Sequence, residues 1–144
     1  METLKIKKLD ERAIIPTYGT PDSAGADLYA ILDGELKISP NETVTISTGL
    51  SMAIPKNYVG LIYARSSLGC KKGLAPANKV GVIDPDYRGE IKVVLFNQSN
   101  TVQIINPGER IAQIIITPFI KVNFENVEML DNTLRGEGGF GSTN

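Results

Sequence analysis

The sequence contains no histidine and no tryptophan, and only one cysteine, Cys70. Without an imidazole, a Ser-His-Asp triad, a Cys-His pair and an HExxH zinc site cannot be built. No Ser-x-x-Lys and no Gly-Lys dipeptide occurs, which removes the serine-lysine acylases of that signature and the Walker A nucleotide site. The single thiol cannot close an intramolecular disulfide. A hydrolase made from this alphabet must use a carboxylate, a Lys, a Tyr or a hard metal ion held by oxygen. An excess of either charge is also missing: 15 Lys+Arg stand against 16 Asp+Glu, a net charge of -1. That balance offers no basic field for nucleic acid or an anionic membrane, and neither is expected as a partner. Apolar runs such as Ile114-Ile115-Ile116 are far too short to span a bilayer. Met1 leads into the charged stretch Glu2 to Lys8 with no apolar signal region. The expected compartment is therefore the cytoplasm, or the nucleus for a eukaryotic or viral source.

What is present points to strands. The 144 residues suit one domain, and valine, isoleucine and threonine far outnumber alanine, a bias toward pleated, half-buried surfaces. Apolar and polar residues alternate in Glu42–Ser47, Ile91–Phe96 and Phe119–Glu125, each read as a strand with one buried face. Turn chemistry recurs at Asp33-Gly34, Pro40-Asn41, Pro55-Lys56-Asn57, Asp84-Pro85-Asp86, Asn97 to Asn100 and Asn106-Pro107-Gly108, the last with Pro and Gly placed for a type II turn. The expectation is an all-β sandwich, jelly roll or barrel over about residues 1–130, followed by a glycine-rich tail over 131–144. One short helix is expected at Ser67–Lys72, with Ser66 as N-cap and Gly73 past its end. Its start, beside Arg65, would favour an anion.

Four further stretches carry polar groups where chemistry could occur. Asp84 lies at a strand end in Gly81 to Glu90, and in a chain without histidine such a carboxylate is the leading candidate to activate water; Tyr87 could lie against a ligand ring. Gln113 interrupts an apolar row in which Ile111 and Ile115 share its face, so its amide needs a backbone or a ligand partner. Asp27, at a strand start beside Gly25, reads either as a turn acid or as support for an Arg or a metal-bound water. The tail Arg135 to Asn144 matches Gly-x-Gly-x-x-Gly at 136, 138 and 141, but with no helix after it the dinucleotide reading fails. Its glycines, hydroxyls, Arg135 and Phe140 could instead wrap a phosphate chain and stack on a base.

Taken in order, Ala24-Gly25-Ala26-Asp27-Leu28, Ala64-Arg65-Ser66-Ser67-Leu68-Gly69, Gly81 to Gly89, Gly108-Glu109-Arg110-Ile111-Ala112-Gln113 and Arg135 to Thr143 closely resemble the five motifs of trimeric dUTPases. The resemblance implies a jelly-roll subunit with a mobile tail, in a homotrimer whose active sites draw on all three chains. It implies hydrolysis of dUTP to dUMP and pyrophosphate with Mg2+, which substrate phosphates and water hold without a direct protein ligand. By position, Asp84 would deprotonate the attacking water, and Tyr87 would pack on deoxyribose. Asn78, Gly81 and Ile83 would read uracil. Arg65, Ser66, Ser67 and Gln113 would hold phosphates, with Asp27 in support. Arg135, Gly141, Ser142 and Thr143 would close on the γ-phosphate while Phe140 covers the base. Ala64 stands where many relatives have Pro, and Asn144 where Gly is frequent. A dCTP deaminase of the same fold and a nucleotide-sensing signalling trimer are the alternatives.

Overall fold

A computed structural model describes residues 3–141. Eleven strands are formed among them: β1 (Lys5–Lys8), β2 (Thr17–Tyr18), β3 (Ala26–Tyr29), β4 (Leu36–Ile38), β5 (Thr43–Ala53), β6 (Tyr58–Tyr63), β7 (Leu74–Pro76), β8 (Gly81–Ile83), β9 (Glu90–Asn97), β10 (Gln103–Ile105) and β11 (Arg110–Pro118). They pair antiparallel in three sheets, ordered β1-β5-β9-β7, β2-β3-β11-β6-β8 and β10-β4. One apolar cluster joins them, with Leu28, Ile62 and Ile114 from the five-stranded sheet meeting Ile46, Leu50, Ile91 and Leu95 from the four-stranded one. The sheets stay open at their edges, a jelly-roll-like sandwich rather than a closed barrel.

Period-two patterning produced this core. Along β9 the side chains of Ile91, Val93, Leu95 and Asn97 are buried while Lys92 is exposed. The buried amide of Asn97 is fully used: it donates to the carbonyls of Ile38 (2.9 Å) and Thr101 (2.8 Å) and accepts from the amide (2.9 Å) and hydroxyl (2.7 Å) of Ser99. The expected turns join strands. At Asn106–Glu109 the amide of Glu109 donates to Asn106 and Gly108 takes a positive φ of 72°, the type II geometry.

Two expectations need correction. Phe119–Glu125 is not a strand: pairing in β11 stops at Pro118, and Ile120, Val122 and Phe124 are exposed. Its alternation is real, but beyond the bond from the Phe119 amide to the carbonyl of Asn57 at 3.0 Å it joins no ladder among the described residues. At Ser67–Lys72 the expected helix is a single wide π-helical turn. Gly73 ends it in the left-handed region and donates to the carbonyl of Leu68, as expected. Ser66, however, has helical dihedrals and its side chain makes no capping bond, because the turn begins one residue earlier, on the carbonyl of Arg65.

Candidate active site

Cross-strand register gathers the first group of polar side chains. Gln113 on β11 lies opposite Asp27 on β3 and, on its other side, opposite Tyr63 on β6, two residues before Arg65. Three distant stretches of sequence thus meet at one end of the sheet. The carboxylate of Asp27, only 11% exposed, accepts from Nε of Arg65 at 2.6 Å and from Nη1 of Arg110 at 3.2 Å. Arg65 also donates from Nη1 to Oγ of Ser67 at 3.0 Å. One acid therefore holds two guanidiniums side by side, a local excess of positive charge. Asp27, Arg65, Ser66, Arg110 and Gln113, with Gly25, line a cleft of about 370 Å³.

Arg110 had no assigned role from sequence, and the reason is a β-bulge. Regular alternation would put Arg110 on the same face as Ala112 and Ile114, which point to the core. The register shifts between Arg110 and Ala112, so Ile111 and Ala112 are both buried and Arg110 turns to the face of Gln113. Bulges re-aim side chains in this way, and nothing in the local sequence announces one. Gln113 donates from Nε2 to the carbonyl of Ala64 at 2.9 Å, a backbone partner that uses one of its two amide hydrogens. Gly25 was likewise missed. A Cβ there would collide with the Gln113 amide, so only glycine lets that side chain lie across the strand.

The second group sits elsewhere. Asn78 and Lys79 form the β7–β8 turn, where Lys79 takes a φ of 65° and donates to the carbonyl of Pro76 at 2.9 Å. Gly81 is buried beneath it, and a Cβ would lie 3.4 Å from Nδ2 of Asn78. Ile83 ends β8, and Asp84 follows at the lip of the sheet, exposed. A turn fixes Asp84, closed by the amide of Tyr87 onto its carbonyl at 3.2 Å. Arg88 braces that turn by donating from Nη1 to the carbonyls of Pro85 (2.7 Å) and Tyr87 (2.9 Å). The ring of Tyr87 lies over Gly89, where a Cβ would strike it, and its hydroxyl donates to the carbonyl of Glu90 at 3.0 Å. Ser51 holds the end of this loop by donating to the carbonyl of Arg88 at 2.7 Å.

A single chain does not bring the two groups together. Along β6, Tyr63 marks the level of Gln113 and Gly60 that of Ile83, so Asp84 continues to the level of Val59. Four residues of strand are about 13 Å. Asp84 lines surface clefts with Lys56 and Arg88 on one side and Tyr87 on the other, not the cleft of Arg65. The tail is apart from both: Arg135 donates to the carbonyl of Gly138 at 2.8 Å, Phe140 is fully exposed, and Gly141 has a φ of 89°. Ser142 and Thr143 lie outside the described residues.

The donor set also bears on a metal. Among the described residues no three acidic or cysteine side chains converge. Asp27, the carboxylate in the phosphate-type cleft, already has one guanidinium on each oxygen. A magnesium ion usually keeps several waters and takes one or two carboxylates beside substrate phosphates, and the carboxylate oxygens of Asp27 are the hard donors that this cleft offers.

A family model described as dUTPase matches residues 11–144. The chain belongs to the dUTPase family. The deoxyuridine 5'-triphosphate nucleotidohydrolase of Syntrophotalea carbinolica is 43% identical over 141 residues, covering 98% of this chain and 96% of that one. The same-named protein of a Hydrogenobaculum species is 47% identical over 140 residues, covering 97% and 96%. Among solved structures, the dUTPase of Staphylococcus bacteriophage 80alpha with dUPNHPP superposes with a TM-score of 0.86 at 27% identity, covering 100% of this chain and 99% of that one. As members of one family, these proteins share the sandwich and its full length with this chain.

Proposed function

We propose that the chain hydrolyses dUTP to dUMP and pyrophosphate, with Asp84 as general base, at sites shared between the copies of a homotrimer. The observation that carries this reading is the pair of guanidiniums, Arg65 and Arg110, fixed on one mostly buried carboxylate beside Ser66 and Gln113. Preorganised cations and N–H donors of this kind suit a polyphosphate, whose transfer chemistry needs positioning and charge neutralisation more than covalent help.

In the proposed step the Asp84 carboxylate takes a proton from water as the water oxygen bonds to the α-phosphorus. The bond from that phosphorus to the bridging oxygen breaks, and pyrophosphate leaves with the electron pair. Arg65, Arg110, Ser66, Ser67 and Gln113 hold the phosphates. Tyr87, pinned over Gly89, packs on deoxyribose and leaves no room for a 2′-hydroxyl. Asn78, Gly81 and Ile83 read the uracil edge mainly through backbone groups, which the β7–β8 turn presents. Arg135, Gly141, Ser142 and Thr143 close on the γ-phosphate, with Phe140 over the base. When bound, Mg2+ would supply charge neutralisation to the phosphates, with Asp27 as the nearby supporting carboxylate.

Assembly follows from the same distances. Asp84 and Gln113 lie on opposite sides of β6 and about 13 Å apart measured along it, so a complete site takes the hairpin of one copy and the phosphate-binding end of another. The stretch after Pro118 exposes Ile120, Phe124, Met129 and Leu134 almost fully. Apolar side chains in that number call for a covering surface, and neighbouring copies supply one.

The test is pyrophosphate release from dUTP, dTTP, dCTP and UTP, with and without Mg2+. Release from dUTP alone, dependent on Mg2+, is expected. In Asp84→Asn, kcat should fall by about 10²–10⁴ while dUPNHPP still binds. Ammonia from dCTP, or undiminished turnover by Asp84→Asn, would overturn the assignment.

A further inference from the structure

The π-helical turn and the β10–β11 turn are joined by one ion pair. Nζ of Lys72 donates to Oε1 of Glu109 at 2.8 Å and to the carbonyl of Ile104 at 3.1 Å. The other carboxylate oxygen, Oε2, accepts from the amide of Asn106 at 2.9 Å. The side chains are 36% and 23% exposed, so this is a sheltered contact with both partners multiply bonded. Burial pushes the Glu109 carboxyl up, and Lys72 with the Asn106 amide more than offsets it, leaving its pKa below the ordinary 4.5.

Position gives the contact its meaning. Lys72 is the last residue of the turn that begins at Ser67 and whose first hydrogen bonds close on the Arg65 carbonyl, from the amides of Leu68 (3.1 Å) and Gly69 (2.8 Å). Glu109 immediately precedes Arg110 and is itself tied to the residue just after β3, where the amide of Ala30 donates to its carbonyl at 2.9 Å. The pair thus spans the two segments that carry Arg65, Ser66 and Ser67 on one side and Arg110 and Gln113 on the other. A cavity of about 310 Å³ lies between them, lined by Arg65, Ser67, Lys71, Lys72, Glu109 and Arg110. Asp27 joins the two guanidiniums at their tips; Lys72 and Glu109 join the backbones behind them.

We infer that Lys72 and Glu109 form a positioning pair that sets the spacing of the two guanidiniums for the phosphate chain of the nucleotide, an inference that rests on the function proposed above. Neither residue touches substrate in this role. Its signature is therefore selective: ligands with a polyphosphate lose affinity, and ligands without one do not.

The experiment uses the full chain and compares wild type, Lys72→Met, Glu109→Gln, Lys72→Arg and the exchange Lys72→Glu/Glu109→Lys. Binding of dUPNHPP and of deoxyuridine is measured by calorimetry, and dUTP turnover by pyrophosphate release. Lys72→Met and Glu109→Gln should weaken dUPNHPP about tenfold, one broken phosphate-positioning contact's worth, with deoxyuridine binding unchanged and the loss in turnover appearing mainly in KM. Lys72→Arg should restore most of the affinity, and the exchange part of it. Equal weakening of both ligands, or of neither in a folded variant, overturns the inference. If Lys72→Met fails to fold, Glu109→Gln and Lys72→Arg carry the same comparison. Wild type that releases no pyrophosphate from dUTP would instead strike the proposed function, which keeps the two failures apart.

Discussion

Replacing Asp27 by Asn keeps shape and volume and removes one negative charge, and its consequences can be worked from the geometry. Two contacts change. The first, to Arg65, is short and sheltered, with side chains 11% and 19% exposed. Removing one partner from a buried pair of this kind costs about 3–5 kcal/mol, because the other charge is left desolvated. The second, to Arg110, involves a guanidinium that is half exposed, so solvent screening reduces it to about 0–1 kcal/mol. The sum is about 3–6 kcal/mol of folding stability per chain, before any rescue by the remaining amide oxygen, which still accepts one hydrogen bond from Arg65 and recovers about 1 kcal/mol. The net expectation is a loss of about 2–5 kcal/mol, measured as a shift in the urea midpoint with unchanged m-value. Function separates the explanations further. If Asp27 matters by holding the guanidiniums in place, kcat/KM for dUTP falls by about 10²-fold or more, although each Arg is now a less neutralised cation. If charge alone mattered, the variant would bind dUPNHPP more tightly and keep its turnover. Tighter binding with full activity, or an unshifted urea midpoint, would refute the reasoning.

Asn97→Ala leaves the buried carbonyl of Ile38 and the part-buried carbonyl of Thr101 without their donor, so the chain should lose about 2–4 kcal/mol with KM for dUTP unchanged; thermal or urea unfolding beside steady-state kinetics reads both. If each site takes Asp84 and Arg65 from different copies, as proposed, mixing two inactive variants, Asp84→Asn and Arg65→Ala, after joint refolding should restore turnover at about a quarter of the sites; no recovery would mean that one chain holds a whole site. The depressed pKa of Glu109 makes its contribution to stability complete above pH 4.5 and lost as pH falls through its folded value. The stability difference between wild type and Glu109→Gln should therefore be flat from pH 5 to 8 and shrink below 4.5, as followed by urea titration at each pH.

What the sequence made legible, and what it did not, divides along the range of the forces involved. Turns were legible because they are local: Asn41 and Asn57 take positive φ of 62° and 70°, each one or two residues after a proline, as short-range sterics require. Strands β5 and β9 were legible because one buried face imposes alternation. The same rule misled at Phe119–Glu125, since alternation reports that one face is to be covered and not by which molecule. Arg110 was missed because its direction depends on a bulge, which is a property of two strands together. Asn97 read as the opening of a polar turn, whereas its amide is the internal partner of three backbone groups, on Ile38, Ser99 and Thr101. The candidate site residues on Arg65, Ser66, Gln113 and Asp27 did come to one cleft. Their grouping needed the register of β3, β11 and β6, which no single stretch encodes.

The charge pattern explains how a chain of net charge -1 can be suited to a polyanion. At physiological salt a field is screened beyond about 8 Å, so the total charge has little say at the site. Around one end of the five-stranded sheet stand Arg65, Arg110, Lys71 and Lys72. Two acids lie among them, and each is spent on holding cations: Asp27 on Arg65 and Arg110, Glu109 on Lys72. The acids therefore do not cancel the site so much as fix where its positive groups point, which lowers the reorganisation needed when phosphate arrives. Free side chains of the same net charge would have to be ordered by the ligand itself, at about 2 kcal/mol of rotamer entropy for each Arg or Lys. A chain without imidazole has an exposed carboxylate at Asp84 and a braced set of cations around Asp27 on separate elements of the sheet, and in the proposed reading that separation is what would make a second copy part of the site.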